Sequence, residues 1–257
     1  MSTPTRRAEE NMIGIARALA GFLLPSGCLA CRDNRVESFW EGGVCAPCWQ
    51  SLPEPEAQRC QHCDEPLAAA EATVCGRCLL DPPAFRSLRA AAPYRGSARD
   101  ILIAFKFRRA DYLAPHLARV MARRLELREP VRELIPVPAT ARARRWSDHA
   151  AELLAVALAT RLTVPCAPHR LEKVRETDRQ SGLPAGRRAA NVRRAFRARG
   201  SCPPAVLLVD DVATSSATVR ECARVLRAAG AKTVDVWCFA RASRDDVVVS
   251  ESSRLSR

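Results

Sequence analysis

The sequence predicts an open, mainly parallel α/β sheet with helices on both faces, preceded by a small cysteine-rich ribbon that folds around metal. Three observations carry that prediction. Of twelve cysteines, eight stand before residue 80, in four C-x2-C pairs. After residue 80, short apolar runs alternate with helical periodicity, the signature of strand, helix, strand units. Charge divides at the same point: residues 1–80 hold 7 basic and 10 acidic residues and the remainder 34 and 18, so a chain of net charge +13 joins a −3 part to a +16 part. With 47% of its 257 residues apolar, the chain can bury a core, which excludes wholesale disorder.

Residues 1–21 are expected to form an amphipathic helix. The apolar run Met12 to Leu24 is interrupted by Arg17, follows Glu9 and Glu10, and is too short to span a bilayer. It reads as a helix packed on the body of the protein, with a weak membrane or partner contact as the alternative. No stable membrane insertion is expected. With no export signal, the predicted compartment is the reducing cytoplasm, where disulfides seldom persist. Eight clustered cysteines then need another use.

Residues 22–82 supply it. The pairs are Cys28 and Cys31, Cys45 and Cys48, Cys60 and Cys63, and Cys75 and Cys78, with thirteen residues between the first two pairs and eleven between the last two. That spacing lets two knuckles meet around one tetrahedral zinc, and two four-thiolate sites taken in sequence order are the economical reading. The segment has few large apolar side chains, and a structural zinc typically adds about 10–16 kcal/mol of folding free energy. Both sites are closed by thiolates, so their expected role is structural. Each carries two surplus negative charges, taking the first 80 residues from −3 to about −7. An acidic ribbon is expected to dock or scaffold, and nucleic-acid contact is the lesser reading.

Residues 83–242 are expected to form the sheet domain, with 243–257 a frayed tail. Leu134 to Val137 reads as a strand, Asp148 to Leu162 as a helix and Val164 to Cys166 as a short strand. Ala205 to Val209 is a continuous apolar run, as expected of a parallel strand buried on both faces. Val219, Cys222, Ala223 and Leu226 then recur on one helical face, with Gly230 placed to end the helix. Thr233 to Ala240 is the next strand. Ligands of such sheets bind at the carboxyl ends of strands, which points to Asp210 and Asp211. Adjacent carboxylates suit a sugar diol or a magnesium ion. The turn that follows offers Thr214, Ser215, Ser216 and Thr218 hydroxyls, backbone amides and a helix N-terminus to a phosphate. The competing reading is a solvated acidic turn with an ordinary helix cap.

VLLVDDVATSSAT (Val206 to Thr218) resembles the phosphoribosyl pyrophosphate signature of type I phosphoribosyltransferases, and the rest of the chain narrows the resemblance to the ComF family. LLPSGCLAC, RCQHCDEPL and CGRCLLDPPAF resemble that family's double zinc ribbon. PYRGSARDILIAFKFRRADYLAPHLA, IPVP and TDRQSGLPAGRRAANVRRAF resemble its later blocks. The resemblance runs from about Phe22 to Arg241. It implies a type I phosphoribosyltransferase fold that binds phosphoribosyl pyrophosphate with magnesium, with or without transfer to an acceptor.

By position, Asp210 and Asp211 would bind the ribose hydroxyls, directly or through magnesium. Ala213, Thr214, Ser215, Ser216, Ala217 and Thr218 would cradle the 5-phosphate. Pro138, Ala139 and Thr140 would face the pyrophosphate, with Arg142, Arg144 and Arg145 near it. Gln180, Arg188 and Asn191 match the family's flexible-loop segment and would close over the ligand.

Two departures from the family pattern bear on activity. Ser216 replaces a usual glycine, at a cost of about 1 kcal/mol if its φ is positive. Trp146 to Ala150 replaces the usual Arg-Gly-Phe-Asn-Gln; His149 within it reads either as a general base or as a surface or capping residue. The family's link to natural transformation adds single-stranded DNA and DNA-uptake proteins as expected partners. Arg187 to Arg199 holds six arginines and no acid. That segment reads as a solvated face, a ligand-closing element or a DNA contact, although Phe196 alone supplies an aromatic for stacking. The hood segment Ala84 to Phe107 carries no readable base code.

Overall fold

The computed structural model describes residues 27–33, 42–108, 110–139, 149–177 and 190–243. The expected N-terminal helix and all of the expected tail beyond Ser243 lie outside them. Two short helices, α1 (Ala46–Gln50) and α2 (Gly76–Leu80), begin immediately after Cys45 and Cys75. Then come β1 (Ser87–Pro93), α3 (Gly96–Phe107), α4 (Ala114–Arg124), β2 (Glu133–Pro136), α5 (Ala150–Leu162), β3 (Leu171–Lys173), β4 (Phe196–Ala198), β5 (Ala205–Ala213), α6 (Ala217–Ala228) and β6 (Thr233–Arg241). No helix among the described residues is long and apolar enough to cross a membrane.

Strands β1, β6, β5 and β2 form one parallel sheet in that order, and β3 pairs antiparallel with β4 in a separate ribbon. Because side chains alternate along a strand, β5 and β6 each feed two cores. Leu207, Val209, Trp237 and Phe239 face α3, α4 and α5. Val206, Leu208, Val234, Val236 and Cys238 face α6 and the Val192 to Phe196 segment. Helices on both faces and parallel strands agree with the predicted class. Val219, Cys222, Ala223 and Leu226 are buried as their spacing requires. Gly230, at φ +111°, ends α6: its N–H reaches the Arg227 carbonyl and the Ala231 N–H the Leu226 carbonyl, each at 3.1 Å.

Two strand expectations change. Val164 to Cys166 makes only a single bridge, Cys166 to Leu134, because the next ladder bonds on either side would need N–H groups that Pro136 and Pro165 lack. In contrast, β5 continues past Val209 to Ala213, because β6 extends equally far and pairs Asp210 with Cys238 and Val212 with Ala240. Asp210 and Asp211 therefore belong to the strand itself.

The ribbon repeats one local design. In each half the residue after the first C-x2-C pair, Arg32 or Asp64, has φ +62°, and the N–H of Cys28 or Cys60 closes the turn onto Asp33 or Glu65. The ribbon also covers the free edge of β1. Leu88 N–H donates to the His62 carbonyl at 2.6 Å and Ala90 N–H to Asp64 Oδ2 at 2.9 Å. This satisfies an edge that would otherwise pair with another chain.

Candidate functional site

The cysteines form two clusters in the order expected, Cys28, Cys31, Cys45 and Cys48 in one and Cys60, Cys63, Cys75 and Cys78 in the other, with all ligand atoms of each within 4.8 Å of one another. Four thiolates about 2.3 Å from a zinc ion stand about 3.8 Å apart at tetrahedral angles. The Sγ–Sγ separations are 3.9 Å for Cys28–Cys48, 3.9 Å for Cys31–Cys45 and 3.5 Å for Cys63–Cys75. The two clusters therefore fit two zinc ions. Burial opposes ionisation of Cys28 and Cys60. Backbone N–H groups aimed at their sulfurs, among them those of Cys45 and Cys75 at 3.3 Å, outweigh it and bring each thiol down to about 7. His62 is not a ligand: its Nδ1 stands 3.2 Å from the Arg86 carbonyl oxygen.

The second site lies where β5 passes into α6. Ser216 caps α6 with φ +58° and ψ 8°, the left-handed conformation, and its Oγ is buried with no hydrogen-bond partner among the described residues. A buried orphan hydroxyl at a helix N-terminus costs free energy unless something bonds to it. That cost and the strained backbone are both ones that a ligand hydrogen-bonded at the turn would offset. The Ala217 N–H turns inward to Ser215 Oγ at 3.4 Å.

Lys106, in the last turn of α3, reaches across to Asp211, Nζ to Oδ2 2.7 Å. Burial alone would lower the Lys106 ammonium, but the charges of Asp211 and Asp210 outweigh it and hold it above its ordinary value. Asp210 is half-buried beside Asp211. Burial and the neighbouring Asp211 charge push its carboxyl group up to about 8. Val137 N–H donates to the Val209 carbonyl at 2.9 Å, so the chain leaving β2 follows β5 and carries Pro138 and Ala139 to the Asp210 end of the strand. The site thus gathers β2, β5, α6 and α3 around two adjacent carboxyl groups, a half-buried ammonium and a hydroxyl with no partner among the described residues.

Other sequence-predicted residues stand as follows. Thr140, Gln180 and Arg188 lie outside the described residues, as do Arg142, Arg144, Arg145 and Trp146 to Asp148. Asn191 sits in a helical turn held against α6, where Val192 is buried and Arg194 N–H donates to Glu221 Oε1 at 2.8 Å. His149 takes the surface reading: it is exposed at the start of α5, caps nothing with its side chain and lies 3.6 Å from Glu152. Within the arginine cluster, Arg197 and Arg199 are spent on Glu172, with Nε–O distances of 2.5 and 2.6 Å, while Arg193 and Arg194 are exposed.

Sequence reasoning missed Lys106 as a site residue. Its signal was compositional: Lys106, Lys173 and Lys232 are the only lysines among 41 basic residues. Arg77, Arg220 and Arg241, which surround the turn from below, carried no such mark.

Comparison with known proteins follows this architecture. A family model described as a double zinc ribbon domain matches residues 19–79. The chain is similar to the DNA utilization protein YhgH of Salmonella typhimurium, 32% identical over 227 residues that span 85% of this chain and 98% of that protein. It is similar to the protein of the same name in Escherichia coli strain K12, 30% identical over 85% of this chain and 98% of that one. Competence protein F of Haemophilus influenzae is 29% identical over 84% of this chain and 96% of its own length.

Proposed function

The chain belongs to the ComF family, and from that premise we propose that it binds phosphoribosyl pyrophosphate with magnesium at the β5–α6 turn and works in the handling of DNA. The observation that carries the ligand is Ser216, whose strained backbone and buried, unpartnered Oγ call for an acceptor such as a phosphate oxygen at the N-terminus of α6. Residues 213–218 hold the 5-phosphate. Asp210 and Asp211 take the ribose diol, whose hydroxyls donate to the Asp211 carboxylate and exchange hydrogen bonds with the Asp210 carboxyl. Since Lys106 already neutralises Asp211, Asp210 would be the carboxyl left to hold a hydrated magnesium ion, which would supply positive charge against the pyrophosphate. By the family resemblance, Pro138, Ala139 and Thr140 would face the pyrophosphate and Gln180, Arg188 and Asn191 would close over the ligand, Thr140, Gln180 and Arg188 lying outside the described residues. The DNA role is supported by the names of the relatives, which speak of DNA utilization and competence. The two zinc ions fold the ribbon and take no part in chemistry.

Calorimetry with phosphoribosyl pyrophosphate and magnesium tests this reading. Heat is expected from the wild type and none from Asp210→Asn combined with Asp211→Asn; a silent wild type overturns it. Transfer to an acceptor is a separate claim, read by pyrophosphate release when candidate acceptors are added.

A further inference from the structure

Three consecutive carbonyls of the β5–α6 turn are held by arginines that are also anchored in the ribbon. Arg241 Nη1 donates to the Ala213 carbonyl at 3.1 Å and to the Thr214 carbonyl, while its Nη2 meets ribbon Glu65 Oε2 at 2.5 Å. Arg77 stands between the metal-site residues Cys75 and Cys78 and donates to the Ser215 carbonyl at 2.6 Å. Arg220, one turn into α6, reciprocates: Nη2 lies 3.2 Å from Cys78 Sγ and Nη1 2.7 Å from the Asp81 carbonyl. Its guanidinium also lies over the Phe85 ring, 6.0 Å from the centroid.

Electrostatics explain why these cations gather there. Arg77, next to Cys78 in sequence, and Arg220, whose Nη2 is 3.2 Å from the Cys78 sulfur, bring two like charges to one place. A metal site of four thiolates carries two surplus negative charges and supplies the counter-charge. The first cluster has no such relation to the turn among the described residues. Cys28, Cys45 and Cys48 instead join the core beneath α3 and α4, and the nearest equivalent strut, Arg108 to the Leu29 carbonyl at 2.9 Å, ties that half to the end of α3.

We infer that the two metal sites are not equivalent, and that the second one positions the phosphate turn: Arg77 and Arg220 couple the Cys60, Cys63, Cys75 and Cys78 cluster to Ser215 and α6, holding Ser216 in its strained conformation. Arg77 is thus a positioning residue contributed by the ribbon to the ligand site. The inference rests on reading residues 213–218 as the phosphate turn, but the strut itself exists without ligand and is measured without it.

Hydrogen exchange on the zinc-loaded full chain, followed in peptides spanning 210–219, tests it. Arg77→Ala should speed exchange in that segment about tenfold, the scale of one buried hydrogen bond, while zinc content stays that of the wild type. Arg77→Lys should recover part of the protection, and Arg108→Ala should leave the segment as in the wild type. Cys78→Ser should loosen residues 210–219, whereas Cys48→Ser should loosen the first ribbon half alone. Unchanged exchange in Arg77→Ala, or an equal increase in Arg108→Ala, overturns the inference. With phosphoribosyl pyrophosphate added, Arg77→Ala should raise Kd relative to wild type. A wild type that fails to bind while Arg77→Ala still frees the turn defeats the ligand reading and leaves the strut standing.

Discussion

Lys106 on α3 and Asp211 on β5 form an ion pair with 2.7 Å between Nζ and Oδ2, in a site where both side chains are largely withdrawn from water. Removing one member leaves the other buried and uncompensated, whereas removing both does not. Lys106→Met is therefore expected to destabilise the fold by about 2 kcal/mol, a value reduced from that of a fully enclosed pair because Lys106 keeps some exposure. Lys106→Met with Asp211→Asn should cost less than the sum of the single changes. Urea denaturation of the four proteins completes the cycle, and strict additivity would refute the pairing.

Asp210 sets a pH dependence of stability. Its native carboxyl holds a proton up to about 8, whereas an unfolded aspartate releases it near about 3.9. Between those values the native state binds more protons than the unfolded one, so this group makes stability fall as pH rises through the window. Thermal midpoints from pH 5 to 8.5 should decline in the wild type more steeply than in Asp210→Asn. Parallel slopes would remove Asp210 as the cause.

Ser216 separates strain from binding. With φ at +58°, Ser216→Gly should stabilise the protein by about 1 kcal/mol, since glycine occupies that region without a Cβ penalty. Ser216→Ala retains the strain and removes only the hydroxyl. Both variants should bind phosphoribosyl pyrophosphate more weakly than the wild type if Oγ meets phosphate, and calorimetry reads that loss independently of the melting curve.

The metal reading is checked directly by elemental analysis, which should find two zinc ions per chain. Chelation should expose the β1 edge now covered by His62 and Asp64, raising exchange at Leu88 and Ala90. One ion per chain would contradict the two clusters as metal sites.

For DNA, the structure divides the arginine cluster. Arg197 and Arg199 are paired with Glu172, and Arg193 and Arg194 are exposed. A salt-dependent shift of single-stranded DNA should be lost on changing Arg193 and Arg194 to alanine and persist in Arg197→Ala. The reverse pattern would move the contact to the β3–β4 ribbon.

Much of this molecule was legible in the linear chain because the relevant physics is local. C-x2-C spacing is set by the reach of a few backbone bonds, and both cysteine clusters assembled as that spacing required. An uninterrupted apolar run identified β5, a mostly apolar segment broken by Asp235 identified β6, helical periodicity identified the buried face of α6, and Gly230 ended it. Where the reading failed, the decisive partner was distant. Val164 to Cys166 stopped at one bridge because Pro136 and Pro165 lack the N–H groups that would extend it, and β5 outran its apolar run because β6 kept pairing with it.

The sequence by itself determined the two cysteine clusters, the parallel sheet and the location of the acidic pair beside a hydroxyl-rich turn, since each follows from residue type and short-range spacing. Only the tertiary structure decided that Lys106 neutralises Asp211, that burial and the Asp211 charge raise the Asp210 carboxyl, and that Arg77, Arg220 and Arg241 bridge the turn and the ribbon. Those are charge pairings between segments far apart in the chain. Their strength depends on burial and distance, which no local pattern encodes.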